Sequence, residues 1–317
     1  MAVAPPGQSG FLVALRAIGS RGRGLLPLAA FAFFVLSLGF IAIFVQRNWQ
    51  AVRELPPLDT GGLAVAVVLY VLAHPFTSSG WVLGVRGLGQ DLPFPAGLRI
   101  AFASQVGKYL PGNFAHYFAR AGLAKSAGIT LAGSSLATLL EIMAALLAAI
   151  IVAATANLVD PAPINAVNAS LTHVKTWSGV LVAMAIIAAG LVVHRTGIPI
   201  KVLALMTACL AANFILAGLS FHAVVLSVSD QATTWVASVG IFTVAWAIGY
   251  LVPGAPAGLG VREVILVAWL TPIVGPGPAI ACTVLHRLIT AAVDALVGLF
   301  GYGWLRLGKP AQDLSKK

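Results

Sequence analysis

The sequence predicts an all-α polytopic membrane protein with about six full transmembrane helices and two re-entrant or broken helical hairpins in inverted repeat. Counting each hairpin as one segment gives eight. Three observations carry this. Of 317 residues, 59% are hydrophobic and only 9% charged, against roughly a quarter charged in soluble domains, and the mean hydropathy is +0.97. Apolar runs long enough to cross a bilayer recur along the whole chain. Finally, one helix-breaking Pro-Gly element occurs twice: a shift of 142 residues superposes Gly107 on Gly249, Pro111 on Pro253, Gly112 on Gly254, Ala115 on Ala257 and Arg120 on Arg262.

In chain order, residues 1–24 form a basic tail with Arg16, Arg21 and Arg23, followed by an apolar run at 25–45. That run is longer than a signal-peptide core and no small-residue cleavage site follows, so it reads as an uncleaved first span. The second span is 61–83. A loop rich in Gly and Pro at 84–96 leads into the first broken element, 97–125, and then a span at 131–157. A polar loop at 160–175 precedes a shorter span at 177–194. Next come 202–228, the second broken element at 234–270, and a last span at 279–304. The expected organisation is one integral membrane domain, 25–305, made of halves at about 25–160 and 167–305. Short cytoplasmic tails at 1–24 and 306–317 flank it.

Each half reads as two spans, one broken element and one span. If a broken element leaves on the side it entered, each half crosses three times, the halves are inverted, and both termini lie on one side. Charge counting agrees: this topology places fourteen Lys and Arg residues inside and four outside, the bias expected of cytoplasmic loops. Both termini are therefore expected in the cytoplasm, with the protein in the cell membrane, or in the inner membrane of a Gram-negative cell. The net charge of +10 belongs to these loops and does not point to nucleic acid.

At the broken elements a resemblance appears. Lys108-Tyr-Leu-Pro-Gly112 with the following Arg120, Glu141 in the next span, and the later run Pro253-Gly-Ala-Pro-Ala-Gly-Leu-Gly-Val-Arg-Glu263 resemble the lysylphosphatidylglycerol synthase transmembrane-region family. The likeness covers about residues 25–305. The family frequently has Glu-Arg followed by Asp early in the third span, whereas Glu141 here is followed by Ile142, Met143, Ala144 and Ala145. What the resemblance implies is a helical bundle acting as a lipid flippase, without aminoacyl transfer. The expected cargo is an anionic, phosphate-bearing phospholipid or polyprenyl-linked lipid. The alternative is a non-transporting scaffold for an envelope-lipid or glycan-assembly enzyme.

Irregular backbone at membrane depth survives only inside protein or along a water-filled cavity, so the breaks mark the expected site. A helix starting after Pro-Gly points its positive N-terminal end into the protein, where N–H groups receive an anion. Arg offers phosphate a bidentate fork. The expected substrate-binding residues are Lys108, Pro111, Gly112, Arg120, Pro253, Gly254, Arg262 and Glu263. With Arg120 and Arg262 eight residues past their Pro-Gly, or about 12 Å along a helix, one Arg is expected near each head-group layer.

Glu141, Arg287 and Asp294 fall inside spans, where ionisable residues are functional or paired. Glu141 and Arg287 lie at similar depth, and Arg287 and Asp294 share a face two turns apart, so the three form an expected intramembrane network with a Glu141–Arg287 pair. The six His residues show no metal-ligand spacing and the chain has no nucleotide-binding loop, so neither metal nor cofactor is expected. Cys209 and Cys282 lie in apolar runs as small hydrophobes. Ala144 to Ala149 offer a small-residue packing face.

Overall fold

The structure is a computed structural model and describes residues 57–109, 115–161, 187, 190–191, 193–229, 233–251 and 260–307, with isolated positions at 43, 46, 49 and 53. The expected spans at 25–45 and 177–194 lie largely outside these residues. So do Pro111, Gly112, Pro253 and Gly254 at the two breaks.

All regular structure among the described residues is helical: α1 (Thr60–Gly87), α2 (Phe94–Ser104), a 3₁₀ turn (Gln105–Tyr109), α3 (Ala115–Ser126), α4 (Leu131–Val159), α5 (Ile200–Val228), α6 (Trp235–Leu251), α7 (Val261–Val274) and α8 (Pro276–Leu307). Four of them, α1, α4, α5 and α8, are long and apolar enough to span a membrane. The pairs α2/α3 and α6/α7 are not, at 11, 12, 17 and 14 residues against the roughly 20 a span needs.

Local chemistry sets the helix ends. Asp59 caps α1 by accepting from the Gly61 and Gly62 amides at 2.9 and 3.1 Å, and Thr130 Oγ1 caps α4 by accepting from Gly133 N at 3.0 Å. Pro93 and Pro199 precede α2 and α5, where a missing N–H costs nothing. Gly260 precedes α7 with φ of 83°, a backbone state that glycine adopts without penalty.

The shift of 142 residues carries α1 onto α5, α2 onto α6, α3 onto α7 and α4 onto α8. The α1–α5 contact is the most extensive between any two described elements, and it is antiparallel. Asp59 N donates to Ser227 O at 3.1 Å, Ser220 Oγ donates to Ala66 O at 2.8 Å, and Gly84 faces Met206. Equivalent helices running in opposite directions make the repeat an inverted one. The packing obeys the same relation: α2 lies along α8 and α6 along α4, so each hairpin's first arm is held by the last helix of the other half.

Both hairpins are re-entrant. Gln90 Oε1, before α2, accepts from the amide and hydroxyl of Thr130, after α3, each at 3.2 Å. The first hairpin therefore enters and leaves at one end of the bundle. At the other end, Thr234 before α6 hydrogen-bonds Asp160 after α4, and Val274 at the end of α7 shares a core cluster with Val228 and Ala279. The first end gathers Arg86, Lys125, Arg195, Lys201 and Arg306 against Asp91; the second carries Asp59 and Asp160. Ala144, Ala145, Ala148 and Ala149 are buried against Phe214, Leu210 and Met206 of α5, the packing role their size predicts.

Candidate functional site

The start of α3 and the end of α6, which flank the two breaks, meet inside the bundle. Tyr117, in the first turn of α3, and Tyr250, at the end of α6, bring their hydroxyls to 3.2 Å. Tyr250 stacks on Trp246 with 5.1 Å between centroids and 9° between planes, and Trp246 meets Phe214 of α5 edge-on at 4.7 Å. Beside this junction lies a cavity of about 160 Å³, many times the space one water needs. Its charged lining is Lys108, Arg120, Arg262 and Arg287 against Glu141 and Asp294. Basic groups thus outnumber acidic ones on a wall built by both hairpins and four long helices. Of the expected site residues with described side chains, all but Glu263 line it.

Arg120 is buried, with 3% of its surface exposed. Its Nη1 donates to Glu141 Oε2 at 2.5 Å and its Nε to Ser104 Oγ at 3.3 Å. The guanidinium lies 5.3 Å from the Trp81 ring centroid and 5.7 Å from that of Tyr117, a favourable position over the negative ring faces. One side chain therefore ties α3 to α1, α2 and α4. This corrects two expectations. Glu141 pairs with Arg120 and not with Arg287, and Arg120 turns inward to the cavity and not outward to a head-group layer. The reason is that α3 runs alongside α4, which sets Arg120 and Glu141 face to face.

Arg262 also faces the cavity. The helix after the second break begins only at Val261, so Arg262 stands in its first turn, while its equivalent Arg120 stands in the second turn of α3. Arg262 Nη2 lies 3.3 Å from His286 Nδ1, and its guanidinium sits over Phe242 at 4.5 Å. Arginine only donates, so His286 Nδ1 accepts, which leaves the proton on Nε2. Nε2 then donates to Ser220 Oγ at 3.3 Å, and the Ser220 hydroxyl passes on to Ala66 O at 2.8 Å. The imidazole in this buried chain is neutral, with Ala66 O the final acceptor.

Glu263, expected to meet substrate, is committed to structure. Its Oε2 accepts from Gly260 N at 2.7 Å and its Oε1 lies 3.6 Å from Arg287 Nε. Arg287 therefore meets the carboxylate of Glu263 in α7, and Glu141 accepts from the guanidinium of Arg120 in α3, so the expected three-residue network is divided among separate partners around one cavity. Asp294, two turns beyond Arg287, completes it: its Oδ1 receives Lys108 Nζ at 3.3 Å and Tyr70 OH at 3.4 Å, with His74 Nε2 at 3.1 Å.

His74, His116, His286, Tyr70, Tyr117, Tyr250 and Gln105 also line or brace the site, and none emerges from the metal-spacing test. The signal that would have found His74 and His286 is the one used for Glu141: a titratable side chain in the middle of an apolar span. Gln105 Oε1 and His116 Nδ1, both buried on the cavity wall, have no hydrogen-bond partner among the described residues, as expected of groups that face water or a polar ligand.

No curated protein matches the chain. The family model of the lysylphosphatidylglycerol synthase TM region matches residues 25–298, a stretch that takes in both hairpins and every charged residue of the cavity. The chain belongs to the lysylphosphatidylglycerol synthase transmembrane-region family.

Proposed function

We propose that the protein moves a phosphate-bearing lipid between leaflets, with the head group passing through the cavity between the hairpin tips. The observation that carries this is the basic character of a buried wall: Lys108, Arg120, Arg262 and Arg287 against Glu141 and Asp294, with Glu263 answering Arg287 from behind the wall, which leaves basic groups in excess by one among the described residues. A closed structural network would balance its charges, since an uncompensated charge in low dielectric is costly. A wall with basic excess is instead completed by an anion. Helices α3 and α7 begin at the hairpin tips, so their positive ends add to the field there. Family membership supports a membrane-lipid role. Because the first end of the bundle gathers the basic loops, it is the cytoplasmic end in this reading, and the first hairpin enters from the cytoplasm.

The test is exchange between leaflets in vesicles holding the purified protein, with fluorescent phosphatidylglycerol, phosphatidylcholine or polyprenyl phosphate in one leaflet. The reading predicts protein-dependent exchange of at least one anionic lipid, faster than that of phosphatidylcholine. Absence of exchange for every lipid overturns it.

A further inference from the structure

We propose that Gln105 and His116 form a hydroxyl subsite beside Lys108 and Arg120, which selects lipids whose phosphodiester head group carries a polyol such as glycerol, inositol or a sugar. The inference rests on the head-group reading above and names the class of head group. It starts from two neutral polar atoms on the cavity wall, Gln105 Oε1 and His116 Nδ1, that have no hydrogen-bond partner among the described residues. Both residues are buried, with 1% and 6% of their surface exposed.

Local geometry sets each of these groups one turn from a cation. Gln105 and Lys108 belong to one 3₁₀ turn, in which side chains three residues apart eclipse. His116 and Arg120 stand four residues apart in α3, on one face of the helix. The offset is about 6 Å along the axis in both pairs. The pairs also adjoin: α3 packs on the 3₁₀ turn, and Arg120 Nε donates to the hydroxyl of Ser104, the residue before Gln105, at 3.3 Å. All four side chains line the same cavity. A cation with a neutral polar group one turn away, twice over, suits a ligand that carries a negative charge and, a few bonds from it, an uncharged polar group.

Chemistry identifies that group as a hydroxyl. Ionised phosphate oxygens only accept, so a phosphate that meets the basic groups leaves Gln105 Oε1, itself an acceptor, unanswered. A choline head has no N–H or O–H to give. An ethanolamine head has an ammonium donor, but it brings a positive charge among Lys108 and Arg120. A hydroxyl donates and accepts without charge. It meets the carboxamide oxygen as a donor and the imidazole nitrogen in either tautomer, and the adjacent hydroxyls of a polyol serve both residues at once. Water serves these atoms before a ligand arrives. A head group that displaces the water without offering a hydroxyl leaves them buried and unsatisfied, and is rejected for that reason.

The experiment titrates the detergent-solubilised full chain with dioctanoyl phosphatidylglycerol, dioctanoyl phosphatidylinositol and dioctanoyl phosphatidylpropanol, measuring affinity. All carry the same phosphodiester charge, and the last has no hydroxyl on its head group. At least one polyol lipid should bind on the order of tenfold more tightly than phosphatidylpropanol; a preference for phosphatidylinositol assigns a ring polyol, and one for phosphatidylglycerol an open one. Gln105→Leu and His116→Phe should each cut the preference to roughly threefold, and the double variant should abolish it. Gln105 Oε1 has no hydrogen bond among the described residues to lose, so the unfolding temperature of Gln105→Leu should stay at or above that of the parent chain, and phenylalanine keeps a ring against Tyr117 at position 116. Equal binding of all three lipids overturns the hydroxyl subsite and leaves the head-group reading standing. A preference that survives undiminished in the folded variants overturns the assignment to Gln105 and His116. No binding of any of the three overturns the subsite and the head-group reading together.

Discussion

The two hairpins share a backbone plan and differ in how their arginines are held. In the first, Arg120 meets a carboxylate at 2.5 Å and lies between two aromatic rings. In the second, Arg262 meets a neutral imidazole and a phenylalanine face, while the neighbouring Glu263 is spent on its own helix start and on Arg287. The shift of 142 residues explains the difference. It maps Glu141 onto Thr283, Arg287 onto Ala145, Asp294 onto Val152 and Lys108 onto Tyr250. The repeat preserves the Pro-Gly breaks and the arginines, but the groups that answer them come from only one half or the other. One hairpin is thereby fastened by an ion pair, and the other holds its arginine in a polar chain through a neutral imidazole.

The largest expected effect breaks the first fastening. Glu141→Gln leaves Arg120 buried without its counter-charge and costs about 3–5 kcal/mol, read as a fall in thermal-unfolding temperature in detergent. Adding Arg120→Gln restores much of the loss, whereas adding Arg287→Gln does not. Recovery by Arg287→Gln would mean that the pairing across α4 and α8 is the real one.

Arg262→Gln is milder for the fold, at about 1.5–3 kcal/mol for a lost charge-assisted hydrogen bond, and heavier for transport. Leaflet exchange by Arg262→Gln should fall further than its stability does, while Arg120→Gln, combined with Glu141→Gln to keep the fold, retains more activity. Equal loss in both would erase the proposed division of labour between the hairpins.

Packing sharpens the comparison at lower energy. A Cβ at Gly301 of α8 meets the backbone of Phe102 and Ala103 in α2, but at Gly240 of α6 it reaches only the Ala156 side chain at 3.0 Å. Gly301→Ala should cost about 1–3 kcal/mol and Gly240→Ala less than about 1 kcal/mol, measured by unfolding temperature.

The smallest effect is at the junction of the tips. Tyr117→Phe and Tyr250→Phe each remove one hydrogen bond, about 0.5–1.5 kcal/mol, and the double change should cost little more than either single one. Additive losses would show that the two hydroxyls do not depend on each other.

Much of this architecture was legible in the sequence because lipid imposes simple rules. Apolar length gives the spans, a Pro-Gly break gives the hairpins, and repetition of the break gives the inversion. The basic loops mark one end. What sequence could not place is where a side chain points after a break. Counting eight residues from Pro-Gly put Arg120 and Arg262 near opposite head-group layers, but α7 begins only at Val261 and α3 folds back along α4, so both turn to the centre. Depth alone matched Glu141 with Arg287. Azimuth decided the outcome, and azimuth depends on the packing of α3, α4 and α8 together. The histidines of the site escaped because they were weighed as metal ligands and not as buried titratable groups.

The central claim is that a lipid head group enters the cavity between the hairpin tips. Its most direct test uses phosphatidylglycerol bearing a photoactivatable group on the glycerol head, reconstituted with the protein, illuminated and mapped by peptide mass spectrometry. The account predicts adducts on cavity residues such as Tyr70, Gln105, Lys108 and Tyr250, reduced by excess unlabelled phosphatidylglycerol and by Arg262→Gln. Adducts confined to outward-facing residues such as Phe118, Leu139 and Leu299, unchanged by competitor or by the substitution, would contradict it.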